Sequence, residues 1–180
     1  KKPEFSFTMA HLKDEGMIAT SEIATKIADF TYSKYMRDTR QALKDFDDGK
    51  DSMLIDDMVN MNIMLTGMVS DLSTGGKQLA VAHNFYDAVC CMYKDVRRKY
   101  LHGEIVAMAL PLQLAVNGRP EAEIEELKAF LREVGIPVSI REAGVPQDGL
   151  EELITYVHRV TIPDDMELLE QIRDGFKYIM

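Results

Sequence analysis

The chain has 180 residues, of which 46% are hydrophobic and 28% charged, as is typical of a globular protein that buries a core. Its formal net charge is −9, and no basic stripe offsets it, so a nucleic acid is not expected as a partner. No apolar run reaches the length of a membrane span, so no membrane partner is expected either.

The cysteine content predicts a reducing environment. Cys90 and Cys91 are adjacent within an apolar, helix-like segment. Neighbouring residues of a helix point about 100° apart, so a disulfide between these two is not expected. We therefore predict a cytoplasmic protein.

The first part of the chain predicts two helices. One begins at Thr20 or Ser21, since either hydroxyl can cap it, and runs to about residue 43. Its apolar stripe predicts a buried face made of Ile23, Ile27 and Phe30, with Lys34 at the edge. A second helical pattern covers residues 52–70. Methionines recur in it at spacings of three to five, and we interpret them as adaptable core side chains: Met53, Met58, Met61, Met64 and Met68.

The pattern of the rest of the chain also predicts helices. Apolar segments precede the turn at residues 117–120, and further helices are predicted over residues 120–135, from 146 to about 160, and from 163 or 164 to the end. Strand and helix patterns do not alternate, and no G-x-G-x-x-G motif occurs. We therefore predict one all-α helical bundle over residues 1–180, without a nucleotide-binding sheet.

Two histidines stand near the start of two apolar segments. His83 lies in LAVAHNFYDAVCCMY, and His102 precedes IVAMALPLQLAV. Their separation of nineteen residues (102 minus 83) is too long for one helix face, but it fits two packed helices that aim both imidazoles into one space. Imidazole is a common metal ligand, whereas a histidine on an apolar face is more often a core residue. Both interpretations stay open at this point.

Several stretches carry a resemblance to a known family. They are the Ala82-His83 helix, the Leu101-His102-Gly103-Glu104 turn, Val106-Ala107, Gln113-Leu114, and ELKAFLREVGIPVSIREAGV at residues 126–145. Together they resemble the helical, metal-binding domain of the iron-containing alcohol dehydrogenase family, in its glycerol dehydrogenase-like group. Upstream, DEGMIATSEIATKIADFTYSKY is similar to the start of that domain.

The resemblance implies a metal site. Members of the family have an α/β domain that holds NAD(P), and a helical domain that supplies an aspartate and two histidines to one zinc or iron ion. His83 and His102 fall on the two histidine positions. No catalytic residue and no NAD(P)-binding residue is assigned in this chain.

The aspartate ligand has no clear counterpart. Anchoring the comparison on Gly16 places Ala19 at its position, and a shifted register would offer Asp14, Glu15 or Glu22 instead. Two imidazoles without a carboxylate would hold a divalent ion weakly or not at all, because catalytic zinc normally takes three protein ligands.

The resemblance therefore predicts the substrate-side domain of an NAD(P)-dependent alcohol or polyol oxidoreductase. It lacks the N-terminal NAD(P)-binding α/β domain, is inactive alone, and uses NAD(P) only if that domain is supplied. Its expected partners are a small alcohol or polyol and the missing cofactor domain, and a homo-oligomer is left open. One alternative is a catalytically degenerate relative that serves as an oligomerisation or binding module. Another is an unrelated helical bundle.

Overall fold

The computed structural model describes residues 19–72 and 80–180, in which all regular structure is helical and no strand occurs. The predicted all-α helical bundle is confirmed. The chain divides into two compact units, a first unit Lys1–Lys77 and a second unit Gln78–Met180. A single domain over residues 1–180 stays a prediction. None of the helices in the described part combines the length and the apolar character that a membrane crossing requires.

The first unit is a helical hairpin. Helix α1 (Ala19–Asp47) packs against α2 (Met53–Asn60), a π-helical turn (Met61–Leu65) and α3 (Thr66–Leu72). The hairpin is closed by the buried carboxylate of Asp45, which accepts hydrogen bonds from Gln41 Nε2 and Ser52 Oγ, each at 2.8 Å. Ser52 also caps α2, because its Oγ accepts from the Leu54 N–H at 3.3 Å.

The predicted buried face of α1 is wrong for two of its three residues, whereas Ile27 is half-buried. Ile23 is 51% exposed and Phe30 is 57% exposed. The buried positions of α1 carry small or polar side chains: Ala24, Ala28, Thr31, Ala42 and Asp45. Close approach of two helices favours small residues, so the large apolar side chains of α1 do not mark its contact face.

The predicted methionine core is also wrong for most of its members. Only Met61 of the five is buried, while Met53, Met64 and Met68 are exposed. A π-helical turn takes one more residue than an α-helical turn, so it shifts the phase of the pattern at Met61–Leu65. A spacing count that assumes one continuous α-helix therefore misplaces the residues after the turn, such as Met68, whereas Met53 lies before the turn and its exposure has no such cause.

The second unit contains eight α-helices among its described residues. They are α4 (Val81–Met92), α5 (Lys94–Lys99), α6 (His102–Met108), α7 (Leu110–Val116), α8 (Glu121–Glu133), α9 (Ile140–Ala143), α10 (Leu150–Thr161) and α11 (Met166–Phe176). A 3-10 turn (Gln147–Gly149) precedes α10. The predicted stops at Gly118 and Gly135 are confirmed, and both glycines have positive φ, of 67° and 78°.

Helices α4 and α7 organise the core of this unit. Helix α4 packs against α5, α6, α7 and α10, and α7 packs against α8 and α11. The rings of Phe85 on α4 and Phe176 on α11 lie 6.2 Å apart between centroids, and both side chains are fully buried. Cys90 and Cys91 are free thiols, as predicted.

The apolar segment that follows His102 forms two helices rather than one. The break lies at Ala109, between α6 and α7, where φ is −89° and ψ is −2°. Pro111 causes it, because proline has no N–H to donate to the carbonyl four residues earlier.

The close crossing of α7 and α11 predicts the effect of a methyl group at Gly175. A Cβ there would lie 2.8 Å from Leu112 Cδ1 and 3.4 Å from both Ala115 Cβ and the Leu112 carbonyl oxygen. Leu112 is fully buried. We expect Gly175→Ala to lower the free energy of unfolding by about 1–3 kcal/mol, as overpacking of a core commonly does. Urea unfolding followed by helical circular dichroism measures it.

The control for this prediction is Gly103→Ala in α6. Nothing lies within 4 Å of a Cβ at Gly103. This change should leave the second unit as stable or slightly more stable, because alanine is the better helix former. Equal loss of stability in both variants would show that the α7–α11 crossing is not the tight contact described.

The ion pairs of the first unit predict a pH dependence. Asp38 accepts hydrogen bonds from Arg37 Nε at 2.7 Å and from Lys34 Nζ at 3.1 Å. The pKa of its carboxyl is lowered from 3.8 to about 2, first by Arg37 and further by Lys34. A lowered folded-state pKa stabilises the fold above the unfolded value, and this contribution disappears as pH falls from about 4 through about 2.

We therefore expect Asp38→Asn to unfold at lower urea concentration than the wild type at pH 7, and the two midpoints to converge near pH 2. The comparison variant is Asp51→Asn, at an exposed turn residue. A difference between Asp38→Asn and the wild type that stays constant between pH 7 and pH 2 would contradict the role of the Asp38 charge.

Candidate functional site

His83 is the third residue of α4, and a side chain of α7 fixes the start of that helix. Gln113 is completely buried, and its Oε1 accepts a hydrogen bond from the Ala82 N–H at 3.1 Å. The first N–H groups of a helix have no partner within the helix, so this contact replaces a missing cap. Gln113 Nε2 donates to Asn117 Oδ1 at 2.9 Å, which orients the amide.

The residue after His83 ties α4 to α10. Asn84 Nδ2 donates to Thr161 Oγ1 at 2.7 Å, and the threonine hydroxyl donates to the Val157 carbonyl at 2.6 Å. His83 itself is half-buried. Its backbone is therefore fixed from both sides, by α7 and by α10.

His102 is the first residue of α6. Glu104 Oε2 accepts from the Leu101 N–H at 2.7 Å, which is the carboxylate half of a capping box and fixes the entry to the helix. The His102 side chain is exposed, as is that of Leu101. The histidine thus stands at a defined backbone position while its ring meets solvent.

The two imidazoles lie side by side. Their ring centroids are 5.4 Å apart with an interplanar angle of 47°, and their helices α4 and α6 pack directly against each other. The predicted placement of both rings in one space is confirmed by this distance. The distance does not test whether the two histidines bind a metal ion, so their role as metal ligands stays a prediction.

The pair has the spacing that one metal ion would require of two histidines. With Zn–N bonds of about 2.0–2.1 Å and a tetrahedral angle, the ring centroids of two ligands lie about 5 Å apart. The observed separation of 5.4 Å agrees with this value. Two imidazoles therefore fit part of a zinc or iron site by distance and by donor chemistry.

The third ligand stays a prediction. Within residues 19–72 and 80–180, no group of three His, Cys, Asp or Glu side chains is arranged to hold a metal ion. Asp14 and Glu15 lie outside the described residues. Ala19 begins α1, and Glu22 is an exposed residue of its first turn.

An aromatic side chain completes the arrangement around the histidines. The ring of Tyr86, three residues after His83, meets His102 edge-on, with 4.2 Å between centroids and 66° between ring planes. Arg97 Nε donates to the Tyr86 hydroxyl at 3.0 Å, and the guanidinium lies 5.6 Å from the centre of the tyrosine ring. Tyr86 was not predicted as a site residue, although an aromatic side chain three residues after a histidine lies on the same helix face.

The pKa of the Tyr86 hydroxyl is raised above its usual range. The first cause is a hydrogen bond with Cys90 one turn later, the second is burial, and Arg97 acts in the opposite direction. The hydroxyl therefore keeps its proton at neutral pH, and Tyr86 is a neutral neighbour of the two imidazoles.

Proteins that are similar to this chain in sequence and in fold include glycerol dehydrogenases. Over 82 residues, or 46% of the chain, it is 33% identical to the glycerol dehydrogenase of Thermotoga maritima, 21% of which is covered. Its fold resembles a probable glycerol dehydrogenase from Sinorhizobium meliloti 1021 (23% identity) and the glycerol dehydrogenase of Schizosaccharomyces pombe (19% identity), each with a TM-score of 0.68 over 87% of this chain. No protein-family model matches the chain.

The chain spans less than half the length of each of these proteins, with 44% and 41% of the two solved structures covered. At these identities, the structural likeness shows the fold. The predicted resemblance is confirmed: this chain is similar to the C-terminal helical region of glycerol dehydrogenases, which belong to the iron-containing alcohol dehydrogenase family.

Proposed function

We propose that this chain is the metal-binding, substrate-side part of a glycerol dehydrogenase-like NAD(P)-dependent oxidoreductase. The observation that carries the proposal is the pairing of His83 and His102 at 5.4 Å, at the spacing that two ligands of one ion require. The similarity to glycerol dehydrogenases supports it independently.

The proposed roles follow from where the side chains lie. His83 and His102 offer two neutral nitrogen donors from adjacent helices, and the buried start of α4 limits how far the first of them can move. A divalent ion bound there would polarise the hydroxyl of a substrate alcohol. The exposure of His102 leaves a side of the pair open, from which a small polyol can approach.

The substrate and the cofactor belong to the same proposal. The named relatives are glycerol dehydrogenases, so glycerol or a related polyol is the proposed substrate. NAD(P) is the proposed hydride acceptor, held by an α/β domain that is not part of the helical region described. The 180 residues contain no G-x-G-x-x-G turn, and the proposal assigns the pyrophosphate of NAD(P) to that α/β domain.

The histidine pair predicts metal affinity. We expect His83→Ala and His102→Ala each to weaken zinc binding at least about tenfold, because even the loss of residues behind a ligand costs about 10–100-fold. Equilibrium dialysis with Zn²⁺ followed by elemental analysis measures the affinity. Binding should weaken as pH falls, since imidazole coordinates only in its neutral form.

The matched control is His158→Gln. His158 is buried on α10, where its Nε2 contacts the Asp165 carbonyl oxygen at 2.7 Å. Its loss removes one histidine from the chain but leaves the proposed pair intact, so zinc affinity should not change. Zinc affinity that falls equally in all three variants would contradict a site at His83 and His102.

The isolated chain should not turn over substrate. We expect 180-residue protein loaded with Zn²⁺ to show no glycerol oxidation with NAD⁺ or NADP⁺, and no cofactor binding tighter than millimolar by calorimetry. Micromolar affinity for either cofactor would require a nucleotide site within these residues. It would contradict the proposal that a separate α/β domain binds NAD(P).

A further inference from the structure

We propose that Tyr86, held by Arg97, is a positioning residue that fixes the imidazole of His102 beside that of His83. The site it serves rests on the proposed function, whereas the positioning itself is a property of the metal-free protein. Three contacts support the proposal. The rings of Tyr86 and His102 meet edge-on, and Arg97 donates one hydrogen bond to the Tyr86 hydroxyl and one to the Tyr100 carbonyl oxygen.

The imidazole of His102 stands at the start of its helix, where the side chain is open to solvent. His102 is the first residue of α6, and the preceding Leu101 is extended, with φ of −72° and ψ of 161°. Exposed side chains exchange rotamers within nanoseconds. A side chain that packs against this ring therefore limits its rotation and helps to keep it beside His83.

Tyr86 is placed to give that restraint. It lies on α4 three residues after His83, so both side chains project from the same helix face toward α6. Its ring meets His102 edge-on, with 4.2 Å between the ring centroids, an orientation that aromatic rings favour. This contact limits the rotamers that are open to the exposed imidazole.

Arg97 fixes Tyr86 and the chain that leads into His102 at the same time. Its Nε donates to the Tyr86 hydroxyl at 3.0 Å, and its Nη1 donates to the Tyr100 carbonyl oxygen at 3.3 Å. Tyr100 lies two residues before His102. One guanidinium thus connects α4, the end of α5 and the entry to α6, and its fixed fork holds all three in register.

This arrangement separates the role of the ring from that of the hydroxyl. The ring of Tyr86 contacts His102, whereas the hydroxyl contacts Arg97. Tyr86→Phe should therefore keep His102 beside His83 with a modest loosening, while Tyr86→Leu should release it. Arg97→Met keeps the tyrosine ring but removes its anchor, and should give an intermediate result.

The test is made first on metal-free protein by NMR. The chain has only four histidines, and the His83→Gln and His102→Gln variants assign their imidazole protons. We expect a nuclear Overhauser effect between the two imidazoles in the wild type and in Tyr86→Phe, a weaker one in Arg97→Met, and its loss in Tyr86→Leu. Persistence of the wild-type effect in Tyr86→Leu would overturn the proposal.

The matched control is Tyr156→Leu on α10. Tyr156 is also half-buried and also lies beneath an arginine, with the Arg159 guanidinium 5.3 Å from its ring centre. The same substitution there should leave the histidine contact unchanged. If Tyr86→Leu does not fold, Arg97→Met decides the question, and an unchanged effect in that variant overturns the proposal.

Zinc dialysis separates this inference from the proposed function. If the wild type binds Zn²⁺, Tyr86→Leu should bind it about tenfold more weakly, with Tyr86→Phe close to the wild type. If the wild type binds no Zn²⁺, the proposed function fails, and the NMR result alone supports or overturns the positioning role. Wild-type zinc affinity in Tyr86→Leu overturns the positioning role and leaves the proposed function in place.

Discussion

The second unit depends on the burial of one amide. Gln113 has no exposed surface, yet each end of its amide is satisfied, by the Ala82 N–H and by Asn117 Oδ1. A buried polar group that loses its partner destabilises a fold by about 1–3 kcal/mol, so α4 cannot slide along α7 without a large loss. This constraint fixes the position of α4 along α7, and therefore the position from which the His83 side chain projects. It also explains why a glutamine stands in the middle of an otherwise apolar helix.

The two histidines show how a site can be both open and ordered. His83 takes its order from a buried helix start, whereas His102 is exposed and takes its order from neighbouring side chains. The neighbours are Tyr86 and Arg97, which interact with each other by a hydrogen bond and by the approach of the guanidinium to the ring. Each of these contacts is weak in water, but together they restrain a side chain that is exposed to solvent.

The first unit is held together by different contacts. Its hairpin is closed by hydrogen bonds to the buried Asp45 and is crossed by an ion pair between Lys34 of α1 and Asp57 of α2, at 2.7 Å. Alanines fill the contact face, so large apolar side chains such as Phe30 and Ile63 stand outside it. The apolar stripe of α1 was therefore an unreliable guide to its core. The contacts that join the hairpin are the hydrogen bonds to Asp45, the Lys34–Asp57 ion pair and the packing of small side chains.

The sequence by itself determined the helical class, the main helix boundaries and the two histidines, since these follow from local features. Gly118 and Gly135 end helices because glycine accepts positive φ, and the spacing of His83 and His102 excludes a single helix face. Only the tertiary structure decided which faces are buried and which side chains surround the imidazoles. The Tyr86–His102 contact joins residues sixteen apart (102 minus 86), and it depends on the crossing of two helices, for which no local pattern carries a signal. Burial and ring packing are set by the partner surface, and that surface exists only once the chain has folded.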